Sequence, residues 1–228
     1  MAASQFLVLW RAFMKNIKLF YSRIFLATLC VFLTFSVSAA DASKKVQAYA
    51  DQLFHSQSPI EGNPNGDVNI VDFFDYQCRH CGELSQTLRG LVKKDPNVRV
   101  IFKDLPILSS ESEFAAKAAL AAAKQNKYLQ LHNRLMAFDT SFDNAQVLEA
   151  AQQVGLDMTR FKHDLNSKAI AQQIDNNLTL SQKLGIRGTP ALVIAKNTKN
   201  LKGEKAYIIE GALDESEIKD VLRKIRGN

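Results

Sequence analysis

Two cysteines separated by two residues, in the run Cys78-Arg79-His80-Cys81, are the residues whose spacing most directly suggests chemistry. At a helix start, two thiols so placed can close a small ring as a disulfide and reopen it. The first sulfur then faces the unpaired N–H groups and the positive end of the helix dipole, which favour its thiolate. Arg79 and His80 add positive charge beside it, and whatever stabilises the reduced thiolate makes the disulfide a stronger oxidant. Other readings of the pair fit less well. So tight a ring constrains little unfolded-chain entropy, which argues against a purely structural bridge. Zinc needs four ligands, yet there is no second cysteine pair and no paired spacing among His55, His132 and His163, which read as surface or packing residues. No metal is expected, and no cofactor beyond a redox-active Cys78–Cys81 disulfide.

A second signal lies 109 residues after Cys81, at Gly188-Thr189-Pro190. Alone it is a common turn. Just before a strand, a cis proline would turn the Thr189 backbone toward the disulfide and offer an edge for an extended substrate peptide.

The elements that must position these residues are legible from periodicity. Val68 to Phe74 is a dense apolar run with the composition of a buried strand. From Cys81 the pattern turns helical through Leu84, Leu88, Leu91 and Val92 until Asp95-Pro96-Asn97, and Val98 to Phe102 is a second strand, giving a βαβ unit. A long helical region opens at Ser110-Glu111-Ser112-Glu113 and runs through the Ala-rich stretch toward Met136. Further helices are expected at 144–154, 158–165 and 168–184, the last closed by Gly185. Strands at 191–195 and 206–209 form a hairpin, and an amphipathic helix follows with Asp214 as its N-cap. Before all this, Ser43 to Ser56 reads as a short lead-in helix, and residues 58–66 as turns. The order implies an α/β fold interrupted by an all-helical insertion.

Composition sets the context. The chain has 228 residues, 46% apolar and 23% charged, enough to bury a core in one compact domain. Its formal charge of +6 would suggest nucleic acid or a membrane surface. However, Arg11, Lys15, Lys18 and Arg23 lie in residues 1–40, which hold no acid; removing them leaves 25 basic against 23 acidic residues, so no nucleic-acid partner is expected. That segment reads as a secretory signal: a basic stretch, an apolar run from Ile24 to Val37, and Ser38-Ala39-Ala40 as the cleavage region. The apolar run is short of the roughly 20 residues of a membrane span. Met14 reads as the start, with residues 1–13 an extension, and Cys30 lacks the small preceding residue that lipidation needs. Export would place Cys78 and Cys81 in an oxidising compartment.

The runs VDFFDYQCRHCGEL, RVIFKDLPIL, KYLQLHNRLM and GTPALVI, in that order over residues 62–226, resemble the periplasmic thiol:disulfide interchange proteins of the DsbA type. The resemblance implies an α/β thioredoxin-like fold with an inserted all-helical domain. The corresponding boundaries are a lead-in at 41–66, a thioredoxin-like domain at 67–108 and 186–228, and the insertion at 109–185. It further implies an oxidase that gives its disulfide to reduced secreted proteins and is itself reoxidised by a membrane-bound thiol oxidase. Cys78 would be the exposed nucleophile, Cys81 its buried resolving partner, Pro190 the cis proline, and Asp72 a buried acid that either relays protons for Cys81 or is simply a paired strand carboxylate. Arg79 stands where the best-known oxidase of the family has Pro, while His80 matches it. Thr189, by contrast, is typical of related isomerases, so isomerase or reductase, or a non-enzymatic periplasmic chaperone, stay open. The lead-in is too short for an isomerase dimerisation domain, and a monomer is expected.

Overall fold

The computed structural model describes residues 39–55, 57–138 and 141–227. The expected signal segment, the start at Met14 and Cys30 lie outside these, except that Ala39 and Ala40 open the first helix.

A five-stranded mixed sheet forms the centre, in the order β1-β3-β2-β4-β5, with β1 at Ile60–Gly62, β2 at Val68–Phe74, β3 at Val98–Asp104, β4 at Ala191–Lys196 and β5 at Ala206–Glu210. The β2 and β3 strands are parallel; every other pairing is antiparallel. All seven residues of β2 are buried, as its mainly apolar composition favours for a strand covered on both faces. One face, with Ile70 and Phe74, packs under α3 (Arg79–Lys94) and the C-terminal helix α9 (Glu215–Arg226). The other, with Val71 and Phe73, is covered by α1 (Ala39–Ala48), α2 (Ala50–Phe54) and α8 (Lys168–Leu184) through Val46, Leu53, Phe54, Leu180 and Leu184.

Between β3 and β4 lie α4 (Ser110–Ala123), α5 (Tyr128–Leu135), α6 (Asn144–Gln153), α7 (Met158–Leu165) and α8. Side chains of α4 are buried nearly all round, and its alanines let the neighbouring helices approach closely. This architecture is the expected α/β fold with a helical insertion.

Three local expectations are corrected. The lead-in is not only helix and turns: Ile60–Gly62 pairs with β3 as the edge strand β1, Ile60 opposite Ile101. Its density of Gly, Pro and Asn hides this. Gly62 has φ +86°, and a Cβ there would stand 2.5 Å from the Val98 carbonyl, so only glycine fits the approach to β3. The expected long helical region from Ser110 toward Met136 is two helices. The chain breaks where Asn126 adopts φ 57° and Lys127 N–H returns to the Ala122 carbonyl, a left-handed stop that asparagine tolerates. Finally, α8 is not confined to the insertion, since its Leu180 and Leu184 belong to the sheet's second core.

One residue ties these parts to the loop that carries Cys78. Asp75, directly after β2 and 1% exposed, accepts from Gln77 N–H (2.8 Å) and Ser112 hydroxyl (2.6 Å) on Oδ1, and from Ile107 N–H (2.8 Å) and Leu108 N–H (3.0 Å) on Oδ2. Its carbonyl also accepts from Cys78 N–H at 3.1 Å. An amide cannot accept on both sides. Asp75→Asn is therefore expected to lose about 3 kcal/mol of unfolding free energy, because buried donors lose a charged partner. Urea unfolding checks this: a lower midpoint at unchanged slope is expected, and a loss under about 0.5 kcal/mol would contradict the role.

Candidate active site

The chain leaves β2 at Phe74, turns through Asp75-Tyr76-Gln77, and enters α3 with Cys78 as the N-cap residue in extended conformation (φ −82°, ψ 110°). The Cys78 carbonyl accepts from the N–H groups of Cys81 (3.0 Å) and Gly82 (3.2 Å), closing the first turn. The same local geometry separates the two sulfurs. Cys78 is partly exposed at the helix start, while Cys81, one turn on, is 1% exposed and packs with Leu84 and Leu88 in the core. Both are free thiols.

On the far side of the sulfur, the Thr189–Pro190 peptide is cis at the start of β4. The Cys78 thiol donates to the Thr189 carbonyl at 3.4 Å. A groove of about 210 Å³ runs beside Cys78, with Tyr76, Gln77, Gly82, Met136 and Phe138 in its walls.

Environment drives the two thiols apart. A hydrogen bond from Cys81 lowers the Cys78 pKa to about 6, with further help from Thr189 and the Cys81 backbone N–H; partial burial opposes this. Burial pushes Cys81 far above the ordinary thiol range, and its hydrogen bond to Cys78 adds to the effect. Asp72, 1% exposed on the face of β2 beneath α3, is raised to about 8, first by burial, then by the Cys78 charge and by Asp104.

The structure brings Cys78, Cys81, Asp72, Thr189 and Pro190 together. It directs Arg79 and His80 elsewhere. Their side chains are 76% and 69% exposed, and both turn to Glu83, at 3.4 Å from Arg79 Nε and 3.1 Å from His80 Nδ1. The thiolate is favoured through Cys81 rather than through the intervening dipeptide.

Sequence reasoning passed over a buried polar layer. His132 is fully buried: its Nδ1 lies 3.0 Å from the Tyr76 hydroxyl and its Nε2 3.4 Å from the Ser85 hydroxyl, while its ring stacks on Tyr128. Burial, aided by Arg89, lowers its pKa to about 3, so it stays neutral. The Tyr128 hydroxyl donates to Asp104 Oδ2 at 3.1 Å, and burial raises Asp104 to about 7. The available signal was an acid, Asp104, ending the strand run VIFKD.

A dithiol split into a reactive and a buried sulfur, set against a cis proline on a thioredoxin sheet, is the arrangement of thiol:disulfide oxidoreductases. Residues 69–223 match the DSBA-like thioredoxin domain, and the chain belongs to that family. The thiol:disulfide interchange protein DsbA of Burkholderia cepacia is 27% identical over 180 residues, covering 74% of this chain and 82% of that protein. A thioredoxin-like oxidoreductase from Silicibacter pomeroyi DSS-3 superposes with a TM-score of 0.70 at 36% identity, over 78% of this chain and 98% of that one. The thiol-disulfide exchange protein α-DsbA2 from Wolbachia pipientis does so with a TM-score of 0.73 at 28% identity, over 84% and 99%. The chain spans only about a fifth (21%) of the length of two Salinispora Na(+)/H(+) antiporters that it also matches.

The thiolate is the attacking form, so lowering the Cys78 pKa should preserve its reactivity below pH 7. Iodoacetamide is expected to alkylate Cys78 with a rate that falls through a midpoint near pH 6, leaving Cys81 unmodified. Peptide mapping across a pH series reads this directly. Preferential labelling of Cys81, or a midpoint near 8.5 as in a free thiol, would contradict the assignment.

Proposed function

We propose that this protein is a periplasmic dithiol oxidase that introduces disulfides into reduced secreted proteins through the Cys78–Cys81 couple. The observation that carries the reading is the split between the two sulfurs. A substrate thiolate attacks Cys78 Sγ in the disulfide, the S–S bond breaks, and its electron pair leaves on Cys81, which takes a proton. A second substrate thiolate then attacks the mixed disulfide and expels Cys78 as a stabilised thiolate. The substrate loses two electrons and the protein gains them; a membrane-bound thiol oxidase would remove them afterwards. No other cofactor enters the cycle.

Magnitudes bound how oxidising this makes the protein. Moving a thiol pKa from about 8.5 to about 6 stabilises the dithiol at pH 7 by at most about 1.4 kcal/mol, or about 30 mV, and solvent screening at a partly exposed sulfur reduces it. Thioredoxin-like reductants and strong oxidants differ by roughly 150 mV. Thiolate stabilisation therefore moves the couple toward oxidation without reaching the extreme. The residue type at Thr189, before the cis Pro190, supports a second reading as isomerase or reductase.

The substrate surface supports unfolded protein chains. Ile107 (42%) and Leu108 (55%) are exposed apolar residues on the loop that Asp75 ties to the active-site turn. Among the described residues no helix is long and apolar enough to cross a membrane.

Trapping provides the test. Cys81→Ala is expected to accumulate mixed disulfides between Cys78 and reduced, unfolded substrate proteins, and Cys78→Ala to abolish both oxidation and trapping. A wild-type protein that fails to oxidise reduced substrate yet reduces insulin disulfides would favour the second reading. Full oxidase turnover in Cys78→Ala would overturn both.

A further inference from the structure

Beneath α3 the sheet carries two buried carboxyls, and the cycle above requires a proton at Cys81 without naming its donor. Asp72 lies on β2 and Asp104 ends β3. The parallel register sets Asp72 beside Phe102 and Phe74 beside Asp104, so the two acids occupy the same face of neighbouring strands, two positions out of step. Ideal sheet spacings place their Cα atoms roughly 8 Å apart. Each is 1% exposed, and the Oδ1 atom of each has no hydrogen-bond partner.

The groups that face the pair come from every element packed on this side of the sheet. Cys78 and Cys81 come from α3, Tyr76 from the turn after β2, and Tyr128 and His132 from α5; Tyr128 holds Asp104 Oδ2, and Tyr76 holds His132. Arg89 on α3 acts on His132. Lys103 is adjacent to Asp104 in sequence but points to the opposite face of β3, where its ammonium donates to the Gln52 carbonyl at 2.7 Å. Its charge still eases ionisation of Asp104 from across the strand, but on their own face the carboxyls see thiols, phenols and a neutral imidazole, none of which welcomes two negative charges in a water-excluded space.

We propose that Asp104 is a positioning residue for thiol exchange: with Asp72 it forms one coupled carboxyl pair, and the pair as a unit holds the proton that Cys81 gives up and takes back. This rests on the exchange cycle proposed above. When the S–S bond breaks and the electron pair leaves on Cys81, the Asp72 carboxyl passes its proton to that thiolate and becomes a carboxylate. An ionised Asp104 makes that new charge costlier, whereas an Asp104 that keeps its own proton allows it. In the reverse step Asp72 takes the Cys81 proton back as the disulfide closes. Asp104 touches neither sulfur nor substrate; it acts through Asp72 by setting where the proton rests.

Coupling of this kind is reciprocal and appears as two linked titration steps. The test follows the aspartate carboxyl carbons by 13C NMR across pH in the full-length dithiol protein and in Asp72→Asn and Asp104→Asn. Asp104→Asn keeps an oxygen that can accept from Tyr128 and removes the charge. It is expected to lower the Asp72 midpoint by about one pH unit, a tenfold change in proton affinity, and Asp72→Asn to lower that of Asp104 by the same amount. The pH midpoint for release of substrate from the Cys78 mixed disulfide should fall in parallel in Asp104→Asn. An Asp72 midpoint unmoved in folded Asp104→Asn, or a wild-type Asp104 that titrates as an ordinary carboxyl near 4, would overturn the pair. Should Asp104→Asn not fold, the wild-type curves decide: two linked steps at both carbons support the proposal, and independent single steps overturn it. Reciprocal shifts with an exchange profile unchanged in Asp72→Asn would overturn the role in exchange while the carboxyl pair itself stood. Exchange that persists in Cys78→Ala would instead sink the underlying cycle.

Discussion

Burial of one sulfur and not the other is the constraint on which this structure turns. A helix that starts at the end of a fully buried strand places its N-cap residue at the surface and its third residue one turn down in the core, so the spacing of Cys78 and Cys81 converts directly into two dielectric environments. In the dithiol, ionising the first sulfur lets the second donate a hydrogen bond to it; ionising the second would put charge among Leu84 and Leu88 without water. One thiolate and one thiol is the state that the packing selects. The Asp75 carboxylate, by gathering the turn, the loop after β3 and the start of α4, keeps the helix start in the position that this selection needs.

A buried polar layer beneath the helix is the consequence. Asp72, Asp104, Tyr76, Tyr128 and His132 sit where an apolar side chain would pack at lower cost, since each must be kept neutral or bonded. Aromatic faces supply much of the compensation: His132 lies 5.0 Å from Phe74, 4.5 Å from Phe102 and 5.5 Å from Tyr128 between ring centroids. The helical insertion contributes α5, and so provides the lid over acids that the sheet alone would leave open. Sheet and insertion are therefore both parts of the site.

The sequence was most informative where one physical rule acts alone. Unbroken apolar runs located the four longer strands, capping residues located most helices, and two thiols at a helix start announced their own chemistry. It was least informative where residues are brought together by topology. Nothing in the spacing of Asp72 and Asp104 reveals that they share a face, because that depends on the parallel register of β2 and β3. His132 looked like any helical histidine until α5 was folded onto Phe74 and Phe102. Glu83 redirects Arg79 and His80 by pairings one turn along the helix, a local competition in which exposed polar side chains settle with one another rather than with the sulfur. The edge strand β1 was lost to its own turn-rich composition.

The pH dependence of the equilibrium reduction potential in glutathione buffers shows whether the reduced protein holds one thiolate and one thiol. A two-electron couple that takes up one proton falls by about 30 mV per pH unit, and one that takes up two falls by about twice that. The predicted curve has the two-proton slope at acid pH, breaks near pH 6 where Cys78 ionises, and keeps the one-proton slope through pH 9, because Cys81 stays protonated. A two-proton slope that continues past pH 8 would mean that Cys78 is an ordinary thiol. A curve that flattens below pH 9 would mean that Cys81 ionises too. Either result would contradict the division of the two sulfurs by burial.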